Sequence, residues 1–194
     1  TESVTSMSPN AVDWVLLELR ETSSGPAVAR GAFLLDTNGN VRTPAGSATL
    51  AFPSLLHGSY HVVVRHRNHL AMMSTTQALS ATSVTVDLRL ASSVDGGAAA
   101  GLEIEPGVLA MVSGDGDASG SILAPDQQAV WLPQVGQTGY RAGDFNLNGS
   151  VLADDLNTFL VPNVGRQSSV PGASVRPVTE ASENAGPDAR LGAP

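Results

Sequence analysis

Residues 114–136, GDGDASGSILAPDQQAVWLPQVG, and residues 143–165, GDFNLNGSVLADDLNTFLVPNVG, repeat one pattern. Aligned at a shift of 29 residues, the two stretches are identical at ten of 23 positions. Each copy contains a loop rich in oxygen-bearing side chains, followed by a short apolar stretch that ends at Pro133 or Pro162. Because proline interrupts a helix, the pattern predicts two copies of a unit made of one loop and one short helix.

The loops have oxygen donors at the spacing of a twelve-residue calcium-binding loop. A hard cation takes six or more oxygens at about 2.3–2.6 Å, and position 6 needs glycine for the sharp turn; here it is Gly120 or Gly149. We therefore predict two Ca²⁺ ions. Their ligands would lie at positions 1, 3, 5, 7 and 12: Asp115, Asp117, Ser119, Ser121 and Asp126, and Asp144, Asn146, Asn148, Ser150 and Asp155. The apolar residues at position 8, Ile122 and Val151, are expected to pair the loops back to back.

Solvated turns are the competing interpretation, because Asn, Asp and Gly are also what ordinary turns use. An ordinary turn does not require the same donors, glycine, apolar residue and terminal Asp twice at one spacing, so the repeat favours calcium. Position 9 is Leu123 or Leu152, so a water must complete the shell. Three carboxylates in the first loop and two in the second predict weak binding, with Kd on the order of 10⁻⁵ to 10⁻³ M. We expect the ions, more than an apolar interior, to hold this segment together.

Charge is concentrated in the same part of the 194-residue chain. Residues 95–165 contain nine acids and a single base, Arg141, whereas residues 1–94 contain six acids and six arginines. The net charge is −8 and all ten basic residues are arginine, which disfavours nucleic acid as a partner because binding phosphates requires clustered Lys or Arg. Cysteine is absent, which excludes disulfides and thiolate metal sites.

The first half of the chain predicts a β-sandwich. Short apolar runs bounded by Gly, Pro, Asn and Ser indicate strands at 14–20, 32–35, 48–52, 60–67 and 84–90. Asn38-Gly39 predicts a two-residue hairpin of type I′. Within the run 60–67, His66 is expected to face inward, and His61 and Arg65 outward.

Two resemblances to known families add to this interpretation. Residues 114–165 resemble a type I dockerin, a duplicated half EF-hand module in which each calcium loop precedes one helix, and residues 52–64, FPSLLHGSYHVVV, resemble the strand entry of prealbumin-like and Cna B-type sandwiches. More broadly, residues 11–165 are similar to a C-terminal region of secreted bacterial surface proteins and adhesins, several exported by the type IX route. The resemblance implies a mainly β protein: a prealbumin/Cna B-like β-sandwich, then a small dockerin-like module of two calcium loops, each with a short helix.

The expected organisation has five parts. They are an N-terminal extended segment (1–9), a β-sandwich (10–94), a connector (95–113), the double calcium-loop module (114–165) and an extended Pro/Ala/Ser-rich tail (166–194). The tail is expected to lie against the body of the protein or a neighbouring subunit. We also expect a processed chain, because its start lacks a signal-peptide pattern. No apolar run approaches the roughly 20 residues that span a bilayer.

Other sites are weaker candidates. His57 and His61 are spaced for zinc on a helix, but the glycine and serine between them and the strand context disfavour a helix. Four aromatic residues could form either a sugar-stacking face or core: Trp14, Trp131, Tyr140 and Phe145. No nucleophile-elbow, metalloprotease, P-loop or dinucleotide motif occurs, so we expect no enzymatic activity.

The sequence thus favours a non-enzymatic, secreted, extracellular structural protein at the cell surface, acting in adhesion or in self-assembly into a filament, tube or lattice. Expected partners are copies of itself or other surface proteins and glycans. One alternative is a docking module for a cohesin-like partner, although Ala124-Pro125 and Ala153-Asp154 replace the hydroxyl pair usual in dockerins. Another is a carbohydrate-binding appendage of a secreted enzyme.

Overall fold

The computed structural model describes residues 10–172, and these residues form a mainly β fold with antiparallel strand pairing. The strands are β1 (Ala11–Arg20), β2 (Ala27–Asp36), β3 (Val41–Arg42), β4 (Gly58–Arg65), β5 (Met72–Met73), β6 (Gln77–Leu79), β7 (Leu102–Glu105) and β8 (Val108–Ala110). Two short 3₁₀ turns, Ala91–Ser93 and Gly97–Ala100, precede β7. The predictions for residues 1–9 and for the tail beyond residue 172 lie outside the described residues.

One antiparallel sheet of six strands forms the larger part of the fold. Its order is β3-β2-β1-β4-β5, with β6 also paired to β4, and β7 and β8 form a separate hairpin. Apolar residues alternate along β1, so that Val15, Leu17 and Leu19 are all buried on one face. The predicted strands at 14–20 and 32–35 are confirmed as parts of β1 and β2, and the strand predicted at 60–67 is confirmed as far as Arg65, where β4 ends.

The predicted strands at 48–52 and 84–90 are wrong, because both segments are irregular. Their side chains nevertheless pack on the sheet: Phe52 meets Phe33 edge-on, with ring centroids 5.8 Å apart, and Leu88 covers the cluster around Val15. Partial burial, without ladder hydrogen bonds, accounts for Leu50, Phe52, Val86 and Leu88, whereas Val84 and Leu90 stay exposed. Within the described residues, irregular chain therefore covers the sheet where the predicted sandwich has strands.

The predicted hairpin at Asn38-Gly39 is present, but its turn type is wrong. Gly39 has a φ of +76° whereas Asn38 does not enter the positive region, so the turn is not type I′. The N–H of Asp36 instead donates to Asn40 O at 2.9 Å, which closes a three-residue loop between β2 and β3. The Asp36 carboxylate accepts the N–H groups of Asn38 and Asn40, which stabilises this wider turn.

Each sequence repeat contains one short helix, as predicted, but the prediction that Pro133 and Pro162 end these helices is wrong, because each helix continues one residue beyond its proline. The first repeat helix begins with a wide π-type turn, Asp126–Trp131, and continues as Leu132–Gln134; the second begins with Asp155–Leu160 and continues as Val161–Asn163. A compact apolar core lies between the repeats: Leu70, Val112, Ile122, Trp131, Phe145, Val151 and Leu160. We expected ions, more than an apolar interior, to hold this segment together, but the segment also has a well-packed apolar core. Trp131 and Phe145 belong to it, so neither is available for sugar stacking.

The two repeats are interlocked: the position-8 residues Ile122 and Val151 pack in this common core, and the backbone of each bonds with the chain that follows the other repeat. In the first loop, Ile122 bonds with the segment that follows the second repeat helix, accepting from Gly165 N at 2.8 Å. In the second loop, Val151 bonds with the segment after the first repeat helix, accepting from Gly136 N at 2.8 Å. Residues 166–172 then run over the sheet, where Val170 packs among Val63, Ala71 and Met73. This described start of the tail lies against the body of the protein, one of the two expected placements.

Candidate metal centre

Three carboxylates converge in the first loop. One oxygen from each of Asp115, Asp117 and Asp126 lies within 4.8 Å of the others, and this is the one such group of acidic or histidine side chains among residues 10–172. Asp115 is 3% exposed and Asp126 is fully buried. Asp115 Oδ1 is buried and accepts no hydrogen bond from the described residues. An ionised oxygen without a donor is costly in a protein interior.

Backbone N–H groups inside the loop hold these carboxylates in place. Asp115 Oδ2 accepts the N–H of Gly120 at 3.0 Å, and Asp126 accepts those of Asp117 at 3.2 Å and Leu123 at 2.7 Å. Gly120 at position 6 has a φ of +83°, as the predicted turn requires. Ala118 at position 4 also has positive φ, which the sequence analysis did not anticipate because alanine seldom adopts it.

The second loop repeats this arrangement. Asp144 accepts the N–H groups of Asn148 and Gly149, each at 3.0 Å. Asp155 accepts N–H groups from Phe145 at 2.8 Å and from Leu152 at 2.8 Å. Positive φ recurs at the same two positions, Leu147 and Gly149. Both loops therefore have the same backbone path, although alanine stands at position 4 of one and leucine at position 4 of the other.

The remaining predicted ligands lie along the rims of the loops. Ser119 Oγ donates to the carbonyl oxygen of Ser121 at 3.0 Å. In the second loop, Asn146 Oδ1 accepts Asn148 N at 3.0 Å, and Asn148 Oδ1 accepts Ser150 N at 2.9 Å. These bonds orient each side chain toward its own loop. Asn146 also donates its Nδ2 to Asp154 Oδ2, which leaves the Asn146 amide oxygen as the atom that could bind a cation.

The electrostatics of the first loop disfavour three bare carboxylates. Burial raises the pKa of Asp115 to about 7, and the neighbouring charges of Asp126 and Asp117 add to the rise. Burial also raises the pKa values of Asp126 and Asp144, against the lowering effect of the backbone N–H donors. A cation between the carboxylates would remove this penalty, since it supplies the missing opposite charge.

An ion network that the sequence analysis missed joins the second loop to the sheet. Arg67 Nε lies 2.8 Å from Asp13 Oδ2, and Arg67 Nη2 lies 3.8 Å from Asp144 Oδ2. His66 Nε2 lies 3.1 Å from the same oxygen of Asp13. Burial alone would raise the pKa of Asp13, but His66 and Arg67 outweigh it and hold that pKa well below its usual range. The signal in the sequence is the run of charged residues from Arg65 to His69, whose partners lie far along the chain.

A second buried network lies on the sheet. Glu18, which is fully buried, contacts Arg20 Nη2 at 3.0 Å, Arg30 Nε at 3.1 Å and Arg65 Nε at 3.2 Å. The prediction that Arg65 faces outward is therefore wrong, because the Arg65 side chain pairs with buried Glu18 and the residue is only 5% exposed. Arg20 also donates to the carbonyl oxygen of Pro171 at 2.7 Å, so this network holds the start of the tail.

The histidines do not form a metal site in the described part of the chain. His61 Nδ1 lies 2.9 Å from the carbonyl oxygen of Ser74, and His57 is exposed. The rings of His66 and His69 meet edge-on, with centroids 4.7 Å apart. His66 is buried, as predicted. Burial, followed by the charge of His66, lowers the pKa of His69 well below its usual value.

Comparison with known proteins does not place the chain in a family. No family model matches it, and no curated protein is similar to it. Among solved structures, it is similar to a chain of a type II cohesin–X–dockerin complex from Acetivibrio cellulolyticus, an N-terminal interface mutant, with 16% identity and a TM-score of 0.45. The match covers 81% of this chain and 85% of that one. This similarity is too low to assign a function. No helix among residues 10–172 is long and apolar enough to cross a membrane.

Proposed function

We propose that this chain is a non-enzymatic, calcium-stabilised extracellular protein that acts in adhesion at the cell surface. Its residues 114–165 would hold two Ca²⁺ ions in a dockerin-like module, and the six-stranded sheet would support that module. Calcium would be structural, fixing the loops and the repeat helices that follow them.

The observation that carries this proposal is the unpaired, buried Oδ1 of Asp115 beside two further carboxylates. The other oxygens of this cluster are already oriented by backbone N–H groups, so the loop needs no rearrangement to present them. All the donors are oxygen, which suits a hard cation and disfavours zinc or copper.

Weak affinity fits an extracellular role. Modules outside the cell bind Ca²⁺ with Kd values of about 10⁻⁴ to 10⁻³ M, matched to the high calcium concentration there. The short Asp at position 12 and the two amide donors of the second loop, Asn146 and Asn148, both favour this range.

Isothermal titration calorimetry with CaCl₂ tests the metal site directly. We expect saturable heat for two ions in the full chain, and much weaker heat with MgCl₂, which demands near-ideal octahedral geometry. The variant D115N/D126N should lose one ion, and the variant D87N, which changes a partly exposed carboxylate outside the repeats, should lose none. Absence of heat at millimolar calcium would contradict the proposal.

Docking onto a protein partner is the second candidate, because one set of exposed apolar residues occurs twice. Three residues of the first repeat and their counterparts 29 positions later are between 45% and 60% exposed: Leu123 and Leu152, Leu132 and Val161, Val135 and Val164. Apolar residues kept exposed at equivalent positions favour a contact surface on each repeat.

A size measurement tests self-assembly, and binding assays test docking and carbohydrate binding. Light scattering after size exclusion, with calcium and with chelator, shows whether the chain associates with itself. A monomer that binds immobilised cohesin domains would support docking, and loss of that binding in L132S/V161S, with calcium heat retained, would locate the surface. A monomer that binds neither cohesins nor a glycan array would count against both docking and the carbohydrate-binding alternative.

A further inference from the structure

We propose that Arg67 makes the two calcium sites unequal by acting as a fixed internal cation beside the second loop, so that the first loop fills at a lower calcium concentration. This inference rests on the proposed calcium function and concerns the regulation of the same sites. Arg67 lies in the segment that follows β4, far from the repeats in sequence, and Asp144 occupies position 1 of the second loop.

Arg67 is held where it is by contacts on several sides. Its Nε donates to Asp13 Oδ2 at 2.8 Å, its Nη1 donates to the carbonyl oxygen of Arg141, and its guanidinium carbon lies 4.3 Å from the centroid of the Tyr140 ring. The residue is 6% exposed. Because these contacts are buried, the guanidinium cannot swing into solvent when a cation approaches Asp144.

The side chain of Asn68, the residue after Arg67, also holds Asp144 in this position. Asn68 Nδ2 donates to the carbonyl oxygens of Ala142 at 3.0 Å and Asp144 at 2.7 Å. The second loop therefore cannot move away from Arg67 without breaking buried hydrogen bonds. A Ca²⁺ ion on Asp144 would share that carboxylate with the guanidinium and be repelled by it.

Among the described residues, no arginine or histidine forms an ion pair with a carboxylate of the first loop, although Arg65, His66 and His69 line the same pocket as Asp115. The three clustered carboxylates of the first loop include the unpaired Asp115 Oδ1, whereas the second loop has two carboxylates and two amides among its side-chain donors. Repulsion between like charges a few ångströms apart in a protein of effective dielectric constant about 20 changes a binding constant by at least about tenfold. Arg67 thus adds to the difference in calcium affinity that the donor types of the two loops already favour.

The test isolates each loop and then removes the charge. In the background D115N/D126N, calorimetry with CaCl₂ reports the second loop alone; in D144N/D155N it reports the first. Comparison of these two proteins should show tighter binding by the first loop. Adding R67M to the D115N/D126N background should tighten calcium binding by at least about tenfold.

Two controls keep the result interpretable. R67M leaves Asp13 with His66 as its remaining ion-pair partner, so D13N/R67M in the same background supplies a second variant in which the Asp13 charge is also removed. R89M also removes one positive charge, from an exposed arginine paired with Asp87, and should leave the second-loop Kd unchanged. Unchanged Kd values, within twofold, in both Arg67 variants would overturn the inference while leaving the calcium function intact. Absence of calcium heat in the wild type would overturn both.

Discussion

Ile122 of the first calcium-type loop donates its backbone N–H to the carbonyl oxygen of Arg166, 2.9 Å away, directly after the second repeat helix. Val151 of the second loop makes the equivalent bond to Gln137, also at 2.9 Å, after the first repeat helix. Each loop is therefore closed by the chain that follows the other repeat. The two loops are thus linked by backbone hydrogen bonds, and an ion bound in either loop would stabilise both.

Replacing Asp115 should abolish calcium stabilisation by the first loop. D115N removes the unpaired oxygen, so the calcium-free protein should be no less stable than the wild type. At a calcium concentration of about 100 times Kd, one site stabilises by about 2.7 kcal/mol, and D115N should lose roughly that amount. Urea unfolding with calcium and with EDTA measures both quantities. Equal calcium stabilisation in D115N and the wild type would show that Asp115 is not a ligand.

Glu18 should be essential to the sheet. E18Q leaves Arg20 and Arg65 buried with no carboxylate, and breaking a buried ion pair by removing one partner costs about 3–5 kcal/mol. The matched control is R30Q, because Arg30 contacts the same carboxylate but is half exposed, and it should cost below about 1 kcal/mol. Urea unfolding monitored by circular dichroism gives both free energies of unfolding. Similar losses of stability in E18Q and R30Q would mean that burial of the ion pairs does not raise the cost of breaking them.

Acid should destabilise the sheet region. Hydrogen bonds from Arg42 and Asn40 hold the pKa of Asp36 at about 2, below the usual 3.8. For Glu18, burial alone would raise the pKa, but Arg20 and Arg65 outweigh it and lower the pKa below its usual value. Depressed carboxyl pKa values contribute stability above the unfolded-state pKa, and this is lost as pH falls through the folded-state value.

The variant D36N tests that sign. It should be less stable than the wild type at pH 6, and the difference should shrink between about pH 4 and pH 2 as Asp36 becomes protonated. Denaturant unfolding at several pH values measures the difference. A gap that stays constant over this range would mean that the Asp36 charge makes no contribution.

The glycine at position 6 should be required for its backbone conformation alone. Gly149 has a φ of +87°, and a Cβ placed there would meet nothing within 4 Å. G149A should therefore cost about 1–2 kcal/mol through strain without any clash. G149N should cost less, because asparagine adopts positive φ more readily. Equal losses for the two variants, measured by thermal unfolding with EDTA, would contradict a conformational cause.

Local signals in the sequence were reliable where one segment alone decides the structure. The alternation in β1 and the duplicated spacing predicted the strand and the sharp turns at Gly120 and Gly149 correctly, because side-chain periodicity and positive φ at glycine are short-range effects. The strand predictions at 48–52 and 84–90 failed because apolar side chains such as Phe52 and Leu88 pack on the sheet from irregular chain, and this packing does not require hydrogen bonding to a neighbouring strand.

The sequence by itself determined which oxygens each loop can offer and where the chain can turn, since both depend on residue type and spacing within about a dozen positions. Only the tertiary structure decided that the loops close on each other's repeats, that Glu18 lies among three arginines, and that Arg67 lies beside Asp144. These relationships join residues far apart along the chain. Their energies come from burial and from charges brought close together, which a pattern of neighbouring residues does not contain.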